Sequence, residues 1–203
     1  MVEAAKRVRG QTRQRLLDVA LEILDREGEA GLTTTRLAQA AGVAQPTFYV
    51  HFEDMDDLLR ELVRQLWAER RTGSRPTRDL LRQASSPAAV RELFRATVES
   101  LVAHPGVLRL VVRSRLDPTG PLGAYTRGEY ATSLDNLADT LAATGVPHAT
   151  PAERRRLRQQ ADGLMAVTET LALGHAEGRY PDMDEVLDVL MGFARGLARA
   201  TRR

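Results

Sequence analysis

The chain lacks cysteine altogether and contains one lysine and one tryptophan among its 203 residues. Without cysteine, disulfide bridges and thiolate metal ligands are excluded. No segment approaches the roughly 18 consecutive apolar residues that a transmembrane helix needs, and the first residues lack the apolar centre of a secretory signal. Alternation of apolar and polar residues, which marks half-buried strands, is nearly absent. We therefore expect an all-helical protein that resides in the cytoplasm, needs no cofactor and does not enter a membrane.

Charge is unevenly distributed along the chain, although the formal net charge is only +2. Residues 1–15 carry five basic side chains against a single acidic one, Glu3. Residues 30–52 contain no acidic residue, and acids return at once with Glu53 and Asp54. An acid-free window beside a basic N-terminal arm is typical of a surface that binds a polyanion, because phosphates attract unopposed positive charge.

Helical periodicity, interrupted by glycine and proline, divides the chain into helices. The first helix is expected to begin at a Thr12 cap and to end near Gly28 or Gly31. The later helices, bounded by the same kinds of residue, are expected over 34–41, 45–51, 54–71, 77–84, 87–103, 105–116, 121–144, 151–178 and 183–201, with a turn at 72–76. We predict an all-α fold with two parts: an N-terminal three-helix domain over residues 1–54, containing a helix-turn-helix at about 34–51, and a C-terminal helical domain over residues 55–203.

The most informative stretch is residues 32–59, LTTTRLAQAAGVAQPTFYVHFEDMDDLL. It predicts a helix, a tight turn and a second helix, because small residues around Gly42 free the backbone and let the two helices cross closely. Leu37, Phe48 and Phe52 are expected to face inward and to fix the second helix. Such packing turns a set of other side chains outward: Gln45, Thr47, Tyr49, Val50 and His51.

These outward side chains are of the types that proteins use on duplex DNA. Glutamine can hydrogen-bond a base edge at two points, threonine can contact a thymine methyl or a phosphate, and tyrosine and histidine can donate to phosphate. Each residue also has an ordinary structural explanation, with Tyr49 half-buried and His51 solvated. Their combination within an acid-free window favours a helix-turn-helix whose partner is double-stranded operator DNA.

The same stretch resembles the DNA-binding domain of the TetR family of regulators. The resemblance lies in LTT, LAQ, GV, QPT and YVH and covers residues 12–62, whereas the remainder is similar only in the number and length of its helices. It implies that Thr33 caps the first motif helix, that Gln45 and Thr47 face base edges, and that Tyr49 and His51 grip phosphates. The full set of DNA-binding residues carried over is Thr33, Thr34, Thr35, Arg36, Ala44, Gln45, Pro46, Thr47, Tyr49 and His51.

This sequence departs from the family pattern at several of these positions. Thr35 stands where a base-reading arginine is expected, although Arg36 is adjacent, and Ala44 leaves the second helix without a side-chain cap. Met55 stands where a phosphate-contacting lysine is common. The departures imply a different operator sequence and a weaker phosphate grip at Met55, for which the basic arm at residues 6–15 would compensate by reaching DNA, unless that arm is disordered.

One reading helix contacts too few bases for useful specificity, so a two-fold homodimer on a pseudo-palindrome is expected. Small residues recur at a spacing of four in the last helix, at Gly192, Gly196 and Ala200, and small residues let helices approach closely. Packing of the last two helices against their mates would give a four-helix bundle. The predicted interface residues are Leu164, Val167, Leu171, Gly174, Val189, Gly192, Phe193, Gly196 and Leu197. The same face also fits the core of a single chain.

The resemblance further implies a small-molecule effector site among the middle helices, over residues 60–175. An apolar pocket with a few polar groups is the usual form of such a site. The candidate residues are Trp67, Phe94, Leu101, His104, Leu108, Arg109, Val112, Arg113, Tyr125, Tyr130 and Glu169. Arg109 and Arg113 suit a carboxylate or phosphate, as in a fatty acid or acyl-CoA. Plain helix packing explains most of these residues equally well.

Two other functional classes are alternatives to a regulator. An enzyme is disfavoured because the sequence has no nucleophile elbow, no phosphate-binding or dinucleotide-binding glycine motif, and only scattered histidines. We therefore predict no catalytic residues and no metal site. A helical interaction module, or a ligand-binding protein without sequence-specific DNA binding, would leave the acid-free motif unexplained. The sequence favours a ligand-responsive repressor.

Overall fold

The regular structure is helical throughout residues 2–68, 86–117, 119–143 and 148–200, the parts of the chain that the computed structural model describes. In chain order the helices are α1 (Val2–Glu27), α2 (Thr34–Ala40), α3 (Gln45–His51), α4 (55–68), α5 (Pro87–Val102), α6 (Pro105–Leu116), α7 (Gly123–Ala143), α8 (Pro151–Ala176) and α9 (Met183–Ala200). A turn of 3-10 helix occupies Glu29–Gly31. The all-α class is confirmed. The predicted turn at 72–76 and the predicted helix at 77–84 lie outside the described residues.

The first helix begins earlier than predicted, because α1 runs from Val2 and Thr12 lies inside it. The residues before Thr12 include alanine, arginine, lysine and glutamine, which favour helix, and no proline, so nothing there stops the helix. The basic arm is therefore part of a helix. At the other end the prediction is confirmed, because Gly28 adopts a left-handed φ of 71° just after α1.

Local capping explains several other helix starts. Ser86 accepts a hydrogen bond from the Ala89 N–H at 3.2 Å at the start of α5. At the start of α8 the Thr150 hydroxyl accepts from the Glu153 N–H at 3.2 Å, and the Glu153 carboxylate accepts from the Thr150 N–H at 2.8 Å. This reciprocal pair is a capping box, which satisfies donors that the first turn of a helix leaves open.

The helices enclose two apolar cores. The first core joins the N-terminal helices to α4 and α6, and it includes Leu16, Leu17, Leu24, Leu37, Phe48, Phe52, Leu58, Val63, Trp67, Leu110 and Val111. The second core lies among α5, α6, α8 and α9, and includes Phe94, Val98, Leu101, Leu108, Leu164, Leu187, Leu190 and Met191. Because α6 contributes to both cores, it connects the helix-turn-helix to the described helices from α5 to α9, which we call the helical body.

The contact between α1 and α6 is unusually close. The Asp25 carboxylate accepts a hydrogen bond from the Gly106 N–H at 2.7 Å, and its other oxygen lies 3.3 Å from Nδ1 of His104. Gly106 is buried, and a Cβ at that position would lie 2.3 Å from the carbonyl oxygen of Leu24. Only glycine therefore allows α6 to start against the backbone of α1.

A charged cluster also joins α1 to α4. Arg13 donates to the Glu61 carboxylate at 3.2 Å, and Arg64 donates to both oxygens of the same carboxylate at 2.7 and 2.6 Å. The hydrogen bond from Arg64, with a further one from Arg13, lowers the pKa of Glu61 from 4.5 to about 2. The negative charge of Glu61 thus holds two arginines on the surface that carries the helix-turn-helix.

None of the helices within the described ranges combines the length and the apolar character that crossing a membrane requires.

Replacing Gly106 with alanine is expected to destabilise the fold by about 2–4 kcal/mol, because the new methyl group would overlap the backbone of α1. The matched control is Gly128→Ala in α7, where an added Cβ meets nothing within 4 Å. That variant should be neutral or stabilising by up to about 1 kcal/mol, since alanine favours helix over glycine. Urea unfolding followed by circular dichroism measures both, and equal stabilities for the two variants would contradict the close contact.

Replacing Glu61 with glutamine is expected to cost about 1–2 kcal/mol at neutral pH. The pKa of Glu61 is lower in the folded chain than in the unfolded chain. Its charge therefore stabilises the fold fully above the unfolded value, and this contribution is lost as pH falls from about 4.5 towards about 2. The stability difference between wild type and Glu61→Gln should shrink over that window in urea titrations at a series of pH values. A pH-independent difference would contradict it, and exposed Glu22→Gln serves as the control.

Candidate nucleic-acid interface

Two local devices shape the turn between α2 and α3. The Thr33 hydroxyl accepts from the Arg36 N–H at 3.2 Å, so Thr33 caps α2 as the resemblance implied. At the other end Gly42 has a φ of 68°, its N–H donates to the Gln39 carbonyl at 3.1 Å, and the Val43 N–H donates to the Ala38 carbonyl at 2.9 Å. This pair of bonds is a Schellman closure, in which glycine takes the left-handed position without strain.

Buried aromatic rings fix the orientation of α3. Phe48 and Phe52 are buried in the first core with their ring centroids 5.7 Å apart, and Leu37 of α2 is buried beside them. The prediction that these three residues face inward is confirmed. Since Phe48 points into the core, the opposite side of a seven-residue helix must face solvent.

The solvent side of α3 carries the residues predicted to contact DNA. Tyr49 and Val50 are each 56% exposed, Gln45 is exposed, and Thr47 and His51 are half-buried. The Gln45 side-chain amide donates to the Thr34 hydroxyl at 3.1 Å, which links the starts of the two motif helices. Ala44 provides no side-chain cap for α3, as predicted. Ala44 and Pro46 are themselves exposed, as is Thr35.

Arg36 forms an ion pair within the chain. Its guanidinium donates to the two carboxylate oxygens of Glu27 at 2.6 and 2.7 Å, which ties α2 to the end of α1. The hydrogen bond from Arg36 lowers the pKa of Glu27. Arg36 was predicted to contact DNA beside Thr35, and to do so it would have to leave this bidentate pair.

Two arginines of α1 lie beside the end of α3, and sequence reasoning did not assign them to the site individually. Arg9 donates to the Val50 carbonyl at 3.1 Å, and the Arg13 guanidinium lies 4.8 Å from the centroid of the Phe52 ring. Burial, and then the positive charges of Arg9 and Arg13, lower the pKa of His51. The two arginines are four residues apart, so they share a face of α1, and this spacing would have revealed them had the helix been extended to Val2.

The residues predicted to line an effector pocket are divided between the two cores. Trp67 belongs to the first core, where its indole N–H donates to the Ser133 hydroxyl at 3.3 Å, and Tyr125 packs against the same core. The other apolar candidates belong to the second core or pack against it: Phe94, Leu101, Leu108 and Val112.

Three of the predicted polar groups of the pocket, His104, Arg109 and Arg113, do not converge. His104 lies against Asp25, Arg109 is 3.5 Å from the Glu177 carboxylate, and Arg113 pairs with Glu29. Arg109 and Arg113 are both exposed and pair with different carboxylates, so the structure does not bring them together as an anion site. These carboxylates lie far from His104, Arg109 and Arg113 in the sequence, so residue spacing alone could not predict the pairs.

A different arginine, Arg115, forms the polar centre of the helical body. Its guanidinium donates to the two carboxylate oxygens of Glu169 at 3.2 and 2.9 Å and lies 3.7 Å from the centroid of the Tyr130 ring. The Tyr130 hydroxyl donates to Asp162 at 2.6 Å. Burial, and then this hydrogen bond, raise the pKa of Tyr130. Two predicted pocket residues, Tyr130 and Glu169, thus meet around an arginine that sequence reasoning missed.

The predicted dimer residues separate into inward and outward groups. Leu164 and Gly174 are buried within the chain, and an added Cβ at Gly174 would lie 2.3 Å from the Tyr180 ring, so intrachain packing accounts for both. Val167 and Leu171 are half-buried against the second core. On α9, by contrast, Val189 and Phe193 are 46% and 49% exposed. They line a shallow groove of about 430 Å³ together with Gly192, Gly196 and Leu197.

Comparison with known proteins agrees with this geometry. Residues 16–62 match the family model described as bacterial regulatory proteins, tetR family. The chain is 37% identical over 62 residues to the transcriptional regulator AcrR of Shigella flexneri and 41% identical over 64 residues to the class D tetracycline repressor of Escherichia coli. These matches cover 30% and 32% of this chain and 29% of each relative.

Solved structures extend the likeness to the whole fold. Thermus thermophilus FadR, a TetR-family repressor solved with lauroyl-CoA, has a TM-score of 0.60 and 26% identity over 92% of this chain and 93% of its own. SCO4454, a TetR-family regulator of Streptomyces coelicolor, has a TM-score of 0.71 and 20% identity over 96% of this chain and 97% of its own. Residues 16–62 thus match bacterial regulatory proteins of the tetR family, and the fold of the chain is similar to that of solved TetR-family regulators.

Proposed function

We propose that the chain is a transcriptional repressor that binds a pseudo-palindromic operator as a homodimer and releases it when a small, largely apolar effector enters the helical body. The observation that carries the proposal is the orientation of α3. Its apolar side is held in the first core by Phe48, while Gln45 and Tyr49 stand exposed in a window of sequence that contains no acidic residue. A helix of this kind, free of negative charge, fits the major groove of duplex DNA.

Within this proposal the residues of the motif have separate tasks. Gln45 and Thr47 read base edges, Pro46 packs on a thymine methyl, and Tyr49 and His51 hold phosphates. Contacts to base edges carry sequence specificity, whereas contacts to phosphate fix the position of the protein on the duplex. The remaining motif residues, Thr33, Thr34, Thr35, Arg36 and Ala44, lie at the starts of the two helices and set their approach to DNA.

The groove on α9 supports the homodimer. Val189 and Phe193 expose apolar surface, and an added Cβ at Gly192 or Gly196 meets nothing within 4 Å, so a second helix can approach closely there. A two-fold axis would place the same groove of each protomer against the other, as isologous dimers do. Dimerisation then sets the spacing of the two copies of α3.

A similar solved structure and one arginine of the helical body indicate the chemical class of the effector. FadR, which is similar over most of the chain, was solved with lauroyl-CoA, and this favours an acyl-CoA or fatty acid here. The side chain of Arg115 is only 14% exposed, and it pairs with Glu169 and stacks on Tyr130. A carboxylate or phosphate of an effector would compete with Glu169 for that guanidinium. Its apolar part would insert among residues that now fill the two cores.

Release of DNA follows from linkage, because an effector shifts the DNA-bound population only if it favours a different arrangement of the body. The α1–α6 contact at Gly106 and the first core both join the helical body to α1, α2 and α3, which carry the helix-turn-helix. A movement of α6 would therefore displace α1 and change the separation of the two α3 helices. A differential affinity of a few kcal/mol is enough to release the operator.

Replacing Gln45, Thr47 and Tyr49 together with alanine should weaken binding to the duplex upstream of the chain's own gene by at least about 100-fold, since each base contact contributes about 1–3 kcal/mol. A gel shift in the presence of excess nonspecific competitor DNA measures the loss of affinity. The control is the pair Thr97→Ala and Thr132→Ala on exposed positions of α5 and α7, which should bind like wild type. Retention of wild-type affinity by the triple variant would contradict the proposed reading helix.

Replacing Phe193 with arginine should convert the protein to a monomer, because a charge in the α9 groove would be buried without a partner. Analytical ultracentrifugation measures the mass, and DNA binding should fall with it because a monomer reads only half of the operator. Thr97→Arg adds the same charge at an exposed position of α5 and should leave the dimer intact. The proposed interface is wrong if Phe193→Arg sediments as a dimer.

A further inference from the structure

A cationic cleft lies between α1 and the end of α3. It has a volume of about 400 Å³ and is lined by Arg9, Gly10, Arg13, Val50 and His51. We propose that this cleft binds one backbone phosphate of duplex DNA at the edge of the groove that α3 enters. The inference rests on the proposed function and adds to it a phosphate site built by the N-terminal turns of α1.

The position of Arg9 is set by α3 itself. Its guanidinium donates to the Val50 carbonyl at 3.1 Å, near the end of α3, where the helix dipole favours a positive charge. A guanidinium carries five N–H donors, and this bond to Val50 engages one of them. Arg9 is exposed, so an anion can reach it from solvent without displacing the bond to Val50.

Arg13 forms the fixed wall of the cleft. It is held by the Glu61 carboxylate at 3.2 Å and by the Phe52 ring at 4.8 Å from the centroid. Glu61 also accepts from Arg64 at 2.6 Å, so a single acidic group is shared between two arginines and leaves excess positive charge on this surface. Arginines held in this way bind phosphate with less loss of side-chain freedom than mobile ones.

The positive charge of the cleft affects the pKa of His51. Burial lowers its pKa most, and the positive charges of Arg9 and Arg13 lower it further, so both arginines contribute positive potential at His51. Gly10 adds no side chain, and a Cβ there would meet nothing within 4 Å. Space and positive potential therefore coincide at the same point.

The location of the cleft favours a DNA phosphate over a small free anion. The seven residues of α3 span roughly 10 Å, and the major groove is roughly 12 Å wide, so the ends of a helix that crosses the groove lie close to its phosphate walls. Val50, which is 56% exposed, lines the cleft, and Tyr49, equally exposed, precedes it in α3. A phosphate bound there would anchor the end of α3 while the start of the helix reads bases.

The test is the salt dependence of DNA binding by Arg9→Gln, measured by fluorescence anisotropy on the duplex upstream of the chain's own gene. Loss of one phosphate contact should weaken binding about 10-fold and lower the slope of log affinity against log salt by about 1. The loss should be equal for operator and unrelated duplex. Arg26→Gln, on an exposed arginine at the far end of the same helix, should match wild type in both quantities.

A conservative variant separates charge from structure. Arg9→Lys keeps the positive charge, so its salt slope should equal that of wild type. The proposal is overturned if Arg9→Gln keeps the wild-type slope, if it changes sequence preference without changing the slope, or if Arg9→Lys loses as much as Arg9→Gln. Failure of wild-type protein to distinguish its upstream duplex from unrelated DNA is a different result, which refutes the proposed function instead.

Discussion

The packing of Phe48 and Phe52 in the first core is the constraint on which the remaining architecture depends. These two rings fix the rotation of α3, and with it the set of side chains that face solvent. The same core includes residues of α4 and α6, so the orientation of the reading helix and the position of the body are set by one continuous apolar contact. A change in either is therefore transmitted to the other, because close-packed interiors respond as a unit.

Three polar contacts add to the apolar packing of the first core. Asp25 holds the start of α6 through the Gly106 N–H, Arg113 pairs with Glu29, and Glu61 holds Arg13 against α4. All three link the N-terminal helices to α4 or α6. The helical body can thus influence the helix-turn-helix along two routes, through α6 onto α1 and through α4 directly, whereas in the proposed homodimer α9 and its exposed groove would set the distance between protomers.

The helix-turn-helix was predictable because its determinants are local. Thr33 caps, Gly42 turns and Phe48 anchors within a stretch of fewer than 20 residues, and each acts through neighbours in sequence. The start of α1 was not predictable from a single cap residue, since a helix continues past Thr12 when no residue stops it. The sequence cannot tell which carboxylate an arginine meets. Arg109 and Arg113 pair with Glu177 and Glu29, whereas the arginine that meets Glu169 is Arg115.

In the proposed complex, two copies of α3 lie in successive major grooves on one face of the duplex. Hydroxyl-radical footprinting of the full-length protein on the DNA upstream of its own gene tests it most directly. Two protected segments of equal strength, related by two-fold symmetry with centres separated by about 10 base pairs or a multiple of that turn, are the expected result. A single unsymmetric footprint, or uniform protection that disappears with competitor DNA, would contradict it.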